Sequence, residues 1–406
     1  MPSNRSAGRV SWLSFLVMLT IGTDTFLVAP LLPTLTHAYH NDPAWSGWMV
    51  SAYAIGYALL ALVAGPISDR LDRKTMLVRG LVAFAVLTAA CAFAPTFWAM
   101  VSLRFATGVA AAFVTPQIWA SIPVLVPPQN ILRTMGYATS GLSIAQMIGV
   151  PIGSALAGWT WHSPFLVVGA VALVLAGVVR LHFPQVPQLG SGSLTGLART
   201  YRDLLGTPTA PALFIAYLLF QTANFTSFSF IGTWFTNGFG LTVTQVGAAI
   251  IALGSANAVG SLFGSRLSNR LGLQNSRRTA IAVLIVLYAA LPSAPNLVVA
   301  VALFCGIFMT GGFVFPVFMA TMQGLTTTAR GTVSALTNST MYLGTTIGGV
   351  IGGVLITHFA GYHGISAVVV VLMTLSLVSD RERGRASKAV EKTSQQTNDA
   401  AEPQGR

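Results

Sequence analysis

Twelve apolar runs, each long enough to cross a bilayer as a helix, dominate this chain. A hydrocarbon core of about 30 Å needs about 20 residues of α-helix. Runs of that kind lie at 11–35, 46–68, 76–95, 97–124, 132–157 and 164–182, and again at 209–236, 243–265, 277–293, 295–324, 331–357 and 362–379. Helices are the expectation because lipid leaves no strand edge unpaired, and no alternating barrel pattern is present. Only 8% of the 406 residues are charged, against about 25% in soluble domains. A water-soluble enzyme, a disordered chain and a secreted disulfide scaffold are thereby excluded. Cys91 and Cys305 lie in apolar stretches without disulfide or metal spacing. The first run is too long for a signal peptide and lacks a small-residue cleavage site, so it reads as a retained span.

The net charge is +12, and the position of the charges gives it meaning. With the N-terminus cytoplasmic, 21 of the 22 Lys and Arg residues fall on one side, in loops or at run ends, and only Arg104 lies well inside a run. This is the positive-inside pattern of a multi-pass cell-membrane protein with both termini cytoplasmic, not a nucleic-acid surface. The expected layout is a six-helix bundle over 1–182, a cytoplasmic linker over 183–208, a second six-helix bundle over 209–380 and a disordered cytoplasmic tail over 381–406.

The halves can be laid on each other at an offset of 200: Asp24 on Asn224, Asp69-Arg70-Leu71 on Asn269-Arg270-Leu271, Pro95 on Pro295 and Pro116 on Pro316. Parallel repeats of this kind are related by an axis along the membrane normal. They hold a site between the halves near the midplane, exposed to either side in turn.

Asp24 is the only one of ten acidic residues well inside a run, roughly 20 Å from the inner face at about 1.5 Å per residue. A carboxylate there is costly unless paired, and one that binds and releases a proton is what a proton-coupled carrier needs. Arg104 sits at a similar depth. The alternatives are a structural ion pair or direct binding of a cationic substrate. Polar and aromatic residues inside the runs are candidates for a substrate cavity: Tyr53, Tyr57, Gln117, Gln146, Gln221, Asn224, Phe228, Asn338 and Tyr342. Each of them is also compatible with plain helix packing. No phosphate loop, metalloprotease helix, nucleophile elbow or metal-ligand set occurs, so neither enzyme chemistry nor a metal is expected.

The loop after the second run reads Gly65-Pro66-Ile67-Ser68-Asp69-Arg70-Leu71-Asp72-Arg73-Lys74. It resembles the loop signature of the major facilitator superfamily. Leu103-Arg104-Phe105-Ala106-Thr107-Gly108 is similar to that superfamily's membrane-arginine motif. Gly149-Val150-Pro151-Ile152-Gly153 and Gly22-Thr23-Asp24 through Pro30 and Pro33 resemble the drug:proton antiporter branch. The resemblance implies an all-α integral membrane fold of twelve transmembrane helices in two pseudo-symmetric six-helix bundles. It implies a monomer that exports a small organic molecule in exchange for protons, with no cofactor beyond the proton gradient. It further implies a conformational latch from Gly65, Asp69, Arg70, Arg73 and Lys74 against the start of the eleventh span, and a gating helix at Gly149, Pro151 and Gly153. The chain departs from the family loop at Asp72, where glycine is usual; Asp tolerates left-handed backbone better than most residues. Proton-coupled uptake of a nutrient and a non-transporting receptor or scaffold remain the alternatives.

Overall fold

Each of the twelve apolar runs folds as one helix or as two consecutive helices. The structure, a computed structural model, describes residues 4–40, 45, 48–68, 72–157, 159–186, 197–207, 209–358 and 361–380. The first six runs become α1 (Asn4–Ala38), α2 (Trp48–Ser68), α3 (Arg73–Cys91), α4 (Phe97–Ala112) with α5 (Thr115–Leu125), α6 (Pro128–Ala157) and α7 (Ser163–His182). After α8 (Leu197–Leu205) come α9 (Ala210–Phe228) with α10 (Ile231–Phe239), α11 (Val243–Leu271), α12 (Leu273–Ala290), α13 (Leu297–Gln323), α14 (Arg330–His358) and α15 (His363–Asp380). Among the described residues, nine spans are long and apolar enough to cross a membrane by themselves. No strand occurs among the described residues.

Local chemistry sets several starts. Thr96 and Asn296 cap α4 and α13 by accepting the amides of Ala99 and Val299. Thr242 and Gln245 form a capping box on α11. Asp72 does not take up left-handed backbone; its φ is −63°, and its carboxylate accepts the Lys74 amide at 3.1 Å as the N-cap of α3. An acid is favoured at that position by the helix dipole, which accounts for its standing where a glycine turn was expected.

In the first group, α1 packs chiefly on α6, α2 on α4 and α3 on α7; in the second, α9 packs on α14 and both α11 and α12 on α13. The groups meet where α6 lies on α11 and α2 on α14, and where α5 touches α13 and α14.

The pseudo-repeat is visible in backbone contacts. A Cβ on Gly108 would sit 2.0 Å from the Tyr53 carbonyl oxygen, and one on Gly312 would sit 2.0 Å from that of Asn257. Both partners repeat at an offset of 204. Likewise Gly141 approaches the Phe15 carbonyl as Gly348 approaches that of Thr222, at an offset of 207. The offset of 200 holds for the caps Thr96 and Asn296, but the helix contacts come about one to two turns later. In that contact register Asp24 corresponds to Ile231, not to Asn224.

Part of the segment between the two groups is helical. It contains α8, whose Leu204 is buried and whose Tyr201 hydroxyl donates to the Leu62 carbonyl of α2.

Candidate functional site

Asp24 and Arg104 form a fully buried ion pair. Arg104 Nη1 donates to Asp24 Oδ2 at 2.8 Å, and the side chains are 1% and 0% exposed for Arg104 and Asp24. The guanidinium lies 4.6 Å from the centroid of the Tyr53 ring, and its Nε donates to the Met49 carbonyl at 3.4 Å. Thr25 donates to the Tyr53 hydroxyl at 3.4 Å. The arginine is thus held by α2 as well as by the acid on α1. Asp24 Oδ1 is buried and has no hydrogen-bond partner among the described residues. A carboxylate fixed through one oxygen and free at the other has a place for a proton or a ligand donor.

Other cavity candidates separate into groups. Tyr53, Tyr57 and Gln117 are buried, and Tyr57 packs on Tyr342 with ring centroids 4.7 Å apart. Gln117 is buried with neither end of its amide hydrogen-bonded among the described residues. Asn224 and Asn338 donate to carbonyls one turn back, Phe220 at 3.0 Å and Ser334 at 2.8 Å, so each amide is engaged by its own helix. Gln221 is buried where α9 meets Gly344 of α14. Phe228 faces Phe308 at 6.1 Å. Gln146 is half-buried on α6.

The latch and gate candidates are described in part. Arg73 is buried and donates to the Ala120 carbonyl in the middle of α5, at 3.2 Å. Lys74 is half-buried. Asp69 and Arg70 lie outside the described residues, and Gly65, Pro151 and Gly153 lie within α2 and α6 without described surroundings. Gly149 is buried, and a Cβ there would lie 3.2 Å from that of Phe26 on α1. The contacts described between the two helix groups lie at mid-depth and toward the end of the molecule that carries the arginines. Ser143 of α6 donates to Asn257 of α11, which donates to the Phe308 carbonyl at 3.0 Å. Trp119 of α5 meets Phe315 of α13 at 6.1 Å. Nearer the basic end, a Cβ on Gly136 of α6 would sit 2.2 Å from the Ser261 carbonyl oxygen of α11.

A second buried charge cluster was not anticipated. Asp380, fully buried at the end of α15, accepts Arg277 Nε at 2.8 Å and Arg278 Nε at 3.2 Å; Arg277 also donates to Thr321 at 2.7 Å. The sequence signal was there: an acid at a helix C-terminus opposes the dipole, and Arg277-Arg278 open another run at the same end. Because α12, α13 and α15 all belong to the second group, the cluster is a clamp within it. Asp380→Ala leaves the buried Arg277 without its counterion, and removing one partner of such a pair costs about 3–5 kcal/mol. Purified Asp380→Ala is expected to unfold at a markedly lower temperature than wild type, with Asp380→Asn intermediate. Unchanged thermal unfolding of Asp380→Ala would refute the clamp.

Comparison with known proteins places this arrangement. The family model of the Major Facilitator Superfamily matches residues 14–349 and 213–398. The uncharacterized MFS-type transporter YceJ of Bacillus subtilis (strain 168) is 47% identical over 382 residues, covering 93% of this chain and 98% of that protein. YwfA of the same organism, also described as an MFS-type transporter, is 27% identical over 279 residues, or 68% of this chain and 67% of its own length. The crystal structure of the human organic anion transporter MFSD10 superposes with a TM-score of 0.77 at 18% identity, covering 93% of this chain and 99% of that one. FucP in the outward conformation superposes with a TM-score of 0.75 at 16% identity, over 92% and 98%. These two likenesses speak for the fold. Members of the superfamily are transporters rather than enzymes. The all-helical architecture, the family match along most of the chain and the 47% identical relative together establish that this chain belongs to the Major Facilitator Superfamily and is a membrane transporter.

Proposed function

We propose that the protein exports a small organic molecule in exchange for protons, by alternating access, with Asp24 as the proton-carrying group. The observation that carries this reading is the buried Asp24–Arg104 pair with one carboxylate oxygen unpartnered among the described residues. With Asp24 ionised, the guanidinium neutralises it. With a proton on Oδ1, the same arginine keeps its bond to Oδ2, so the contact between the two side chains can persist in both states. Arg104 therefore positions the carboxyl for proton exchange. In this reading twelve helices span the cell membrane, both termini are cytoplasmic and the basic end is the inner one. The two groups are the domains that rock, over 1–182 and 209–380, and the described contacts seal the inner side. Tyr53 and Tyr57 of the first group and Tyr342 of the second face the substrate route. Gly65, Asp69, Arg70, Arg73 and Lys74 hold the inner side closed, and the Gly149–Gly153 segment of α6 is the surface on which the first group moves.

Purified protein in liposomes loaded with a pH-sensitive dye tests this. Under an imposed proton gradient, adding a transported compound from a chemically diverse panel is expected to trigger proton movement in wild type. Asp24→Asn is expected to lower it at least about tenfold, within the range for a positioned acid–base group. Equal proton flux in both proteins would remove Asp24 from the coupling step. Substrate movement without proton flux in wild type would overturn exchange for protons.

A further inference from the structure

The proline at position 66 changes the hydrogen bonding of α2 near its basic end. Proline has no amide hydrogen, so the carbonyl four residues earlier in the same helix loses its intrahelical partner. In α2 that carbonyl belongs to Leu62. Leu62 lies about 9 Å from the last residue of α2, at about 1.5 Å per residue. It stands in a stripe of exposed apolar side chains, Ile55, Leu59, Leu62 and Val63, a surface suited to acyl chains. In a hydrocarbon environment no water satisfies a carbonyl, so the protein must supply the donor.

The donor comes from outside the helix. The Tyr201 hydroxyl of α8 donates to the Leu62 carbonyl. The same solution recurs at Pro316 in α13. There the freed carbonyl is that of Gly312, and the Ser261 hydroxyl of α11 donates to it at 3.0 Å. The two cases differ in what they tie together. Ser261 joins two helices of one group, whereas Tyr201 joins the segment between the groups to the first group. Within α8, Leu204 is buried while Arg199 and Arg202 are exposed. The helix touches both α2 and α9. It ends at Leu205, and α9 begins at Ala210. A helix so close to both groups can keep its place on only one of them when they part.

We propose that Tyr201 is a positioning residue: through the carbonyl freed by Pro66 it bolts α8 to the first group, so that α8 stays on α2 while the second group moves about the chain between Leu205 and Ala210. The inference rests on the alternating-access reading. It also makes the role of Tyr201 depend on residue 66. With an alanine there, the helix's own amide takes the Leu62 carbonyl and the bolt loses its hold. A tyrosine kept in place by its ring alone would not respond to residue 66. Tyr201→Phe is expected to lower the ratio of docked to released α8 roughly 5- to 30-fold, the effect of one lost hydrogen bond whose acceptor has no other partner.

The test uses full-length protein in lipid nanodiscs, with Cys91→Ser and Cys305→Ser. Spin labels at Leu59→Cys and Arg199→Cys, both exposed, report the distance from α2 to α8. A second pair at Arg133→Cys and Arg266→Cys, both exposed near the basic ends of α6 and α11, reports the separation of the groups. Gly136→Val, which wedges α6 and α11 apart, should lengthen the second distance and leave the first unchanged. Tyr201→Phe should add a longer α2–α8 distance and lower the unfolding temperature. Pro66→Ala should release α8 as well, and Tyr201→Phe should add nothing in that background. Pro66→Ala should also restore the unfolding temperature lost in Tyr201→Phe. An α2–α8 distance unmoved by Tyr201→Phe, or moved equally with and without Pro66, overturns the bolt. An α2–α8 distance that lengthens in Gly136→Val with Tyr201 intact shows α8 travelling with the second group; it overturns the proposal and leaves alternating access standing. An Arg133–Arg266 distance that Gly136→Val fails to move overturns both.

Discussion

Asp24→Ala is expected to be the most damaging single change at the buried Asp24–Arg104 pair, more so than Arg104→Met, while the double variant is more stable than Asp24→Ala alone. The two side chains are paired at 2.8 Å in the interior, 0% and 1% exposed for Asp24 and Arg104. Removing one member leaves the other's charge in a low-dielectric site, at a cost of about 3–5 kcal/mol. That is a large share of the roughly 5–15 kcal/mol that holds a typical domain together. The two halves of the pair differ in how they escape. A carboxyl left alone can take up a proton and become neutral; a guanidinium cannot give one up. Arg104 retains only its bond to the Met49 carbonyl and the Tyr53 ring face among the described residues. Thermal unfolding of the four purified proteins in mild detergent gives the coupling energy directly. Four proteins with additive effects would show that the pair is not coupled, and Arg104→Met worse than Asp24→Ala would reverse the assignment of which charge is trapped.

Gly136→Val is expected to push the basic ends of α6 and α11 apart by several ångströms. Even the single Cβ of an alanine there would stand 2.2 Å from the Ser261 carbonyl oxygen, far inside van der Waals contact, and a backbone oxygen cannot rotate away. Ser261 is itself tied to the Gly312 carbonyl at 3.0 Å, so α11 cannot yield alone; it moves with α13 or α6 moves off it. The same substitution inside one group should act differently. A Cβ on Gly108 meets the Tyr53 carbonyl oxygen at 2.0 Å, between α4 and α2 of the first group, where there is no hinge to relieve it. Gly136→Val is therefore expected to remain folded with a longer separation between labels at Arg133 and Arg266, and Gly108→Val to lose folded protein. A folded Gly136→Val with an unchanged separation would mean that α6 and α11 do not part at this end.

The site was legible in the sequence to the extent that it depended on rarity. Asp24 and Arg104 stood out because charge is costly in an apolar run, and their similar depth followed from counting residues along a helix. Their contact did not follow, because it needs α1, α2 and α4 to converge with the Tyr53 ring beside the guanidinium. Asn224 and Asn338 looked like cavity residues from the same polar-in-apolar rule. Both amides spend donors on their own helices, which the rule cannot distinguish from lining a cavity. Asp380 escaped notice because it closes an apolar run and so resembles the beginning of a polar tail; only folding carries it against Arg277 and Arg278.

The sequence by itself determined the all-helical membrane class and the family, since these depend on transfer of apolar side chains to lipid and on short motifs read along the chain. Tertiary structure alone decided which helices touch, the repeat offsets of 204 and 207 in place of 200, the capping role of Asp72 and the pairing of buried charges. Those depend on interhelical register, and a shift of a single turn, about four residues, leaves every local preference intact while changing every partner.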